Sequence, residues 1–280
     1  MDGNNRDTQW RNLALGEPAM HRYRLPVSAI DVVLRQPAGR EDLLLLDAPA
    51  LDMALAMALL GSIARRADEA ALACAELPAV DIDAVLLRVR QMVFGDLVRS
   101  DVTCPAPECG KRIDVVLRIS DFLVHHAPRL ARGVEPAGAG ELGWYRLAET
   151  SVTFRIPTGG DLVAAAAERK PKQVLMRRCI RPAEIRAPVL QRVERAMEAM
   201  APSLSPDLHA TCAECGTAVR LSFDARVFTL RELCDQAAFI YEDTHLLARH
   251  YHWPEAEILA LPRNRRIQYV ERLRQQEEAF

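Results

Sequence analysis

The fold is decided by two stretches, Cys104-Pro-Ala-Pro-Glu-Cys109-Gly110 and Thr211-Cys212-Ala-Glu-Cys215-Gly216. Each pair of cysteines is followed at once by a glycine and then by a strand-like run, 112–117 or 218–223. Glycine suits a tight metal-binding turn because it adopts positive φ without strain. Together the stretches predict a zinc ribbon that is split in sequence, in which one Zn²⁺ is bound by the thiolates of Cys104, Cys109, Cys212 and Cys215.

The spacing of the cysteines favours a metal site over other uses of thiols. Four residues separate the first pair and two separate the second, and both gaps fall within the usual ligand spacing. The unusual feature is the long stretch between Cys109 and Cys212. Two alternatives stay open: four unrelated thiols, some of them buried and inert, or a thiol redox pair at Cys212 and Cys215. The other cysteines, Cys74, Cys179 and Cys234, lie in apolar, helix-like sequence and are predicted to be core residues.

The composition is that of a soluble, mainly helical protein. Of 280 residues, 50% are hydrophobic, 26% are charged and 5% are aromatic. This leaves enough apolar residues for a sizeable core, and abundant Ala and Leu favour helix. The 36 basic and 38 acidic residues give a formal net charge of −2, which argues against broad nucleic-acid or membrane-surface binding. With no apolar signal core, no run long enough to span a membrane and cysteines in metal-ligand spacing, the chain is expected to be cytoplasmic.

The predicted fold class is α+β, mainly helical, with the split zinc ribbon and a small β-hairpin. Four regions are expected: a flexible N-terminal arm (1–20), an N-terminal helical region (21–100), the split zinc-ribbon region with an inserted β-hairpin and helices (101–224), and a C-terminal helical region (225–280). No internal repeat of fixed period is visible, although both cysteine turns are flanked by a strand and helices. More specific predictions follow from periodicity. They are a buried strand or the edge of an element at Asp42–Leu46, a helix over Asp81–Val98 that leads into the first cysteine turn, and a hairpin of 144–147 with 152–156. Helical spacing is also expected over Phe223–Tyr251, as is a basic amphipathic closing helix from Arg263 to Phe280.

Nothing in the sequence predicts an enzyme. His125 and His126 are adjacent, and His245, His250 and His252 crowd one helix end without a His-Glu-x-x-His arrangement. Gly159-Gly160 lacks the Lys-Ser/Thr of a P-loop, and no Gly-x-Ser-x-Gly turn occurs. The run Arg263–Arg266 could contact phosphate, but a solvated helix start or a contact with an acidic protein is favoured at this net charge.

Several stretches resemble baseplate proteins of contractile machines. They are Val93–Val98 (VFGDLV), Arg155–Leu162 (RIPTGGDL), Thr211–Gly216 (TCAECG), Leu221–Asp224 (LSFD) and the tail His245–Leu273. The chain from about residue 80 onward is similar to T-even phage baseplate hub assembly proteins and their relatives encoded with extracellular contractile injection systems. The resemblance implies a role in building the baseplate hub, as a chaperone or as a retained component.

The leading hypothesis is therefore a non-enzymatic, zinc-stabilised assembly factor or structural component that acts through contacts with baseplate or hub proteins. It predicts no small-molecule substrate, no membrane span and no nucleic-acid partner. The closing helix, Arg263 to Phe280, is a candidate partner-binding segment, and packing on the protein's own core explains its apolar stripe equally well. The rival hypotheses are a zinc-ribbon nucleic-acid-binding regulator and a thiol redox protein that uses Cys212 and Cys215.

Overall fold

The computed structural model describes residues 20–138 and 140–278, and shows a mixed fold of helices and small antiparallel sheets. The α+β prediction is confirmed at this level. Except for Met20, the predicted N-terminal arm lies outside the described residues, and the division of the chain into four regions remains a prediction. No helix in the described ranges has the length and apolar character needed to cross a membrane.

The first half of the chain forms a unit that we call the first module (residues 21–125). Its elements are, in order, β1 (His21–Arg24), β2 (Asp31–Leu34), α1 (Gly39–Leu46), α2 (Met53–Ile63), β3 (Ala64–Arg66), α3 (Ala79–Phe94), β4 (Leu97–Thr103), β5 (Arg112–Arg118) and α4 (Ile119–His125). The strands β1, β2 and β3 form one antiparallel sheet in that order, and β4 and β5 form a separate hairpin that ends in the first cysteine turn.

The second module (residues 144–237) repeats this order of elements. It comprises β7 (Trp144–Leu147), β8 (Thr153–Arg155), α5 (Gly159–Ala166), α6 (Pro171–Cys179), β9 (Ile180–Arg181), α7 (Ala187–Met200), β10 (Asp207–Thr211), β11 (Ala218–Ser222) and α8 (Ala225–Ala237). Again the first three strands pair in the order β7-β8-β9, and the last two form a hairpin that ends in a cysteine turn. The strand β6 (Val134–Pro136) precedes this module and pairs with β7.

The same local structure begins the first helix of each module. In the first module Arg35 contacts Glu41 at 2.7 Å, and the Glu41 carboxylate accepts the Ala38 N–H at 2.8 Å. In the second module Arg155 donates to Asp161 at 2.9 Å, and Asp161 accepts the Thr158 N–H, also at 2.9 Å. Each carboxylate thus satisfies a free N–H at a helix start and neutralises an arginine at the end of the preceding strand (Arg155) or directly after it (Arg35).

The helices that follow the modules close the fold. They are α9 (Ile240–Tyr251), α10 (Glu255–Ala260) and α11 (Arg263–Glu278), and they pack together around Leu247, Ile258, Val270 and Leu273. The main core lies between α2, α3 and α8, so the last helix of the second module completes the core of the first. A smaller core under β8, β9 and α7 contains Phe154, Ile180 and Val193.

Two helix starts enter the modules in the same way. The Arg263 N–H at the start of α11 donates to the Pro37 carbonyl at 2.8 Å, beside α1. The Ala79 N–H at the start of α3 donates to the Pro157 carbonyl at 2.9 Å, beside α5. Each of these helices is preceded by Leu-Pro, and its start contacts a Pro-x-Gly corner, which is Pro37–Gly39 in the first module and Pro157–Gly159 in the second.

The structure corrects three local predictions. Asp42–Leu46 is part of helix α1 and not a strand, because an apolar run of this length fits either structure and the Glu41 cap decides for helix. The Asp81 helix is confirmed as α3, but it begins at Ala79 and leads into strand β4 before the cysteine turn. The helical spacing of Phe223–Tyr251 belongs to two helices, α8 and α9, separated after Ala237. The hairpin of β7 and β8 is confirmed.

Candidate metal centre

The first cysteine turn is formed by the backbone at the end of the β4–β5 hairpin. Thr103 pairs with Arg112 as the last register position, and the Cys104 N–H donates to the Lys111 carbonyl at 2.8 Å. The N–H groups of Cys109 and Gly110 both donate to the Ala106 carbonyl, at 2.9 and 3.2 Å. Gly110 has a φ of +55°, where a side chain would be strained, so the glycine predicted for this turn has the expected role.

The second cysteine turn closes β10 and β11 with one hydrogen bond of the same kind. The Cys212 N–H donates to the Thr217 carbonyl at 2.9 Å, and the Gly216 N–H donates back to the Cys212 carbonyl, also at 2.9 Å. Gly216 has a φ of +74°. The two turns are therefore equivalent parts of the two modules, and the longer first loop does not change how its two cysteines are presented.

The four predicted thiols meet at the tips of the two hairpins. Their sulfur atoms all lie within 4.8 Å of one another. The Sγ atoms of Cys104 and Cys215 are 3.6 Å apart, those of Cys109 and Cys212 are 3.9 Å apart, and all four cysteines are free thiols. Tetrahedral zinc, with Zn–S bonds of about 2.3 Å, places its sulfur ligands about 3.8 Å from one another. The sulfur spacing therefore fits a tetrahedral thiolate site, and the cluster could hold a metal ion.

Burial divides the four thiols into an inner and an outer pair. Cys104 and Cys212 are 3% and 2% exposed and pack against Val219, whereas Cys109 is half-buried and Cys215 is exposed. Hydrogen bonds from the Thr217 hydroxyl and backbone N–H lower the pKa of Cys215 to about 6. A backbone N–H of Ala106 lowers the pKa of Cys104, but burial and the neighbouring thiols outweigh it and raise that pKa to about 12. The exposed Cys215 thiol is thus more readily ionised than the buried Cys104 thiol.

The other cysteines have different surroundings. Cys74 and Cys179 are buried, and burial raises the pKa of each thiol, for Cys179 to about 12. Cys234 is half-buried, and its sulfur lies 3.7 Å from the Leu45 carbonyl oxygen. The prediction of core residues is confirmed for Cys74 and Cys179, whereas Cys234 is only partly buried, at the margin of the main core.

The histidines do not assemble a site within the described residues. His126 Nδ1 lies 2.9 Å from the Phe122 carbonyl oxygen, and its ring packs on the Phe122 ring at 4.2 Å. Over residues 20–138 and 140–278, the four cysteines are the group of potential metal ligands whose donor atoms come together.

The favoured prediction for the arginine run Arg263–Arg266, a solvated or partner-facing surface, is wrong for two of its members. Arg263 and Arg266 are each 1% exposed, and both guanidinium groups contact the buried carboxylate of Asp42. Arg266 Nε also lies 3.1 Å from Asp243 Oδ2. The apolar stripe of α11 is likewise used internally, since Val270 and Leu273 are buried. An acidic residue beside a run of leucines, as in Glu41-Asp42-Leu43, was the available signal for a buried ion pair.

Comparison with known proteins gives one match. The family of T4 bacteriophage base plate proteins matches residues 20–191, a range that contains the whole first module, Cys104 and Cys109. It begins well before residue 80, and the second cysteine turn and the tail His245–Leu273 lie beyond it. No curated protein and no solved structure shows a significant match. Since the matched range covers more than half of the chain, the protein belongs to the T4 bacteriophage base plate protein family.

Proposed function

We propose that the protein is a non-enzymatic, zinc-stabilised component or assembly factor of the baseplate hub of a phage tail or contractile injection system. It acts through contacts with other baseplate proteins, and assembly takes place in the cytoplasm. Membership of the baseplate family supports a structural role in this machinery. The observation that carries the zinc assignment is the approach of four sequence-distant thiols to within 4.8 Å.

In this proposal Cys104, Cys109, Cys212 and Cys215 bind one Zn²⁺. Four thiolates suit zinc because it prefers soft sulfur ligands in a tetrahedral arrangement. In zinc-finger peptides the ion contributes roughly 10–16 kcal/mol of binding free energy to folding. Here helices and extensive apolar cores lie apart from the cysteines, so the ion has a narrower task, which is to fix the tips of the two hairpins against each other.

Elemental analysis of the full chain, purified without added metal or chelator, tests the zinc site. We expect about one zinc per chain, lost in Cys212→Ser and in Cys109→Ser but retained in Cys234→Ser, a matched cysteine outside the cluster. Cys212→Ser should also lower Tm, by on the order of 10 °C if the site contributes a few kcal/mol. Metal-free protein with four reactive thiols would overturn the assignment. A separate experiment, mass spectrometry of purified contractile particles, distinguishes the two roles: a retained component is detected in the particles, and an assembly factor is not.

A second candidate, a thiol redox protein, is favoured by the exposure of Cys215 and its lowered pKa. It predicts rapid alkylation of Cys215 in the protein as purified and reversible disulfide formation with Cys212. Bound zinc would block both reactions. The nucleic-acid alternative has less support, since Arg112 and Arg220, beside the turns, are paired with Asp101 and Asp207.

A further inference from the structure

An apolar cavity of about 210 Å³ lies in the first module between β1, α3 and α4. The side chains that line it are mainly apolar, and they include Leu25, Pro26, Val80, Ala84, Leu123 and Val124. Val124 is 76% exposed, so the cavity opens to solvent. A cavity of about 150 Å³ is large enough to hold benzene. This one therefore has room for a leucine or phenylalanine side chain from another segment.

The outer edge of β1 runs along this cavity. Within the described residues β1 has one neighbouring strand, β2. The Leu25 N–H donates to the Ile30 carbonyl at 2.8 Å, and the direction of bonding alternates along an antiparallel strand. The N–H and C=O groups of Arg22 and Arg24 therefore point away from β2. Such an edge is a template for another strand.

The second module fills the equivalent position with a side chain. Tyr23–Leu25 corresponds in sequence to Tyr145–Leu147, and both leucines are buried. β6 places Val134 opposite Leu147, and Val134 is 8% exposed in the core under β8, β9 and α7. The cavity beside Leu25 thus corresponds to the site that Val134 occupies in the second module.

The surroundings of the edge are positively charged. Arg22 and Arg24 are 68% and 66% exposed and share one carboxylate, that of Asp31, at 3.5 and 3.4 Å. Arg88 lines the cavity, lies 5.3 Å from the centre of the Tyr23 ring and has no carboxylate partner in the described ranges. Opposite charges on paired strands are stabilising and like charges are destabilising. This edge therefore favours an acidic strand over a basic one.

We propose that the outer edge of β1 and the cavity beside it bind an extended, acidic segment of a partner protein. The segment adds an antiparallel strand, with an apolar residue in the cavity opposite Leu25 and acidic residues opposite Arg24 and Arg22. β6 has this pattern, since it also places Glu135 opposite Arg146, the counterpart of Arg24. Main-chain hydrogen bonds supply affinity in such complexes, and the pocket and the charges supply specificity. The inference rests on the proposed role in contacts between baseplate proteins.

NMR spectroscopy of the full chain with a synthetic peptide tests the proposal. The probe is acetyl-Thr-Leu-Glu-Val-Glu-Thr-amide, and its control has lysine in place of both glutamates. The acidic peptide should shift the amide signals of Arg22 and Arg24 and slow their hydrogen exchange. It should also bind about tenfold more tightly than the lysine peptide, because each glutamate faces an arginine.

Two variants show whether charge at this edge selects the peptide. Arg24→Glu reverses the charge at an exposed position and should remove the preference for the acidic peptide. Arg99→Glu, the matched change at an exposed arginine of β4, should keep that preference. A merely structural role of Arg24 would weaken the binding of both peptides equally.

Three results would overturn the proposal. The first is slow exchange of the Arg22 and Arg24 amides without peptide, which would show that the edge is already paired within the chain. The second is protection that increases with protein concentration, which would assign the edge to a second copy. The third is the absence of a preference for the acidic peptide in the unaltered chain. Zinc content and detection in particles are measured independently, so none of these results decides the proposed function.

Discussion

The two modules share one order of elements but bury their second helices to very different extents. In the first module, α1 and α2 form the centre of the molecule, with Leu45, Leu59 and Leu60 buried. In the second, α6 buries Cys179 and otherwise carries exposed or partly exposed residues. The difference follows from the final helices, since α8 covers α1 and α3, whereas the shorter α4 covers α3 and β5. Burial is set here by what packs on a helix and not by the order of elements.

The Pro-x-Gly corners show the same contrast at the level of single residues. Both receive a Leu-Pro-x helix start through a backbone hydrogen bond. The residue after the capping carboxylate is Asp42 in the first module and Leu162 in the second. Asp42 is fully buried between Arg263 and Arg266, whereas Leu162 is partly buried against the main core. One corner is therefore closed by ion pairs, and the other by apolar contact.

Asp42→Ala should have the largest effect on this comparison. It leaves two guanidinium groups buried without their shared carboxylate, so we expect a loss of about 3–5 kcal/mol in the free energy of unfolding. Leu162→Ala, the equivalent change in the second module, should cost about 1–2 kcal/mol because that side chain is only partly buried. Urea unfolding monitored by circular dichroism measures both. Equal losses at the two positions would contradict the proposed difference between the corners.

Gly39→Ala should have the next largest effect. An added Cβ would lie 2.9 Å from the Leu259 Cα, so the backbone of α10 must move, at a cost of about 1–3 kcal/mol. At Gly159 the two nearest atoms are the side-chain ends of Ile82 and Met57, which can rotate away, so the equivalent substitution should cost less. Thermal unfolding of both variants tests this order.

Gly61→Ala provides the control for that pair. Gly61 lies within α2 with nothing within 4 Å of its added Cβ, so alanine should stabilise the protein by about 0.5–1 kcal/mol. If Gly61→Ala destabilises the protein, the space available to an added Cβ does not predict the effect of these glycine substitutions.

The smallest effect concerns pH. Burial raises the pKa of Asp161, but hydrogen bonds from Arg155, Thr158 and Arg178 outweigh it and hold that pKa well below its usual range. Because the folded pKa lies below the unfolded value of about 4, this carboxylate contributes stability above pH 4 that is lost as the pH falls through the folded pKa. Asp161→Asn should be less stable at pH 7 and lose about 1 kcal/mol less than the parent between pH 6 and pH 3.

That measurement has an internal reference. Any loss of metal from the cysteine cluster on acidification would affect parent and variant alike, so their difference isolates the carboxylate. Glu41→Gln, the equivalent change in the first module, should act in the same direction, since Arg35 and the Ala38 N–H outweigh burial and lower the pKa of Glu41. A loss between pH 6 and pH 3 that is as large in both variants as in the parent would contradict the assignment.

The sequence allowed the cysteine cluster to be predicted because ligand spacing and glycine positions are local features. It did not allow the repeat to be recognised, since equivalent residues are not a fixed distance apart: Leu25 corresponds to Leu147, Gly39 to Gly159 and Cys109 to Cys215. The equivalent side chains also differ in size: the four leucines of α1 correspond to Val163 and three alanines in α5. Periodicity could not predict the burial of Arg263, because its carboxylate partner, Asp42, lies in the first module, far away in sequence.

The pairing of Arg263 and Arg266 with Asp42 also has a consequence for the order in which the chain can fold during synthesis. These partners are 221 and 224 residues apart, the widest separations among the ion pairs of the described residues. Modules generally fold from the N-terminus as the chain emerges, yet the corner beside α1 has its charge uncompensated until Arg266 has been made. Until that moment the first module exposes a carboxylate and an open Pro-x-Gly corner, and this nascent surface is the one that a chaperone or a premature partner would meet.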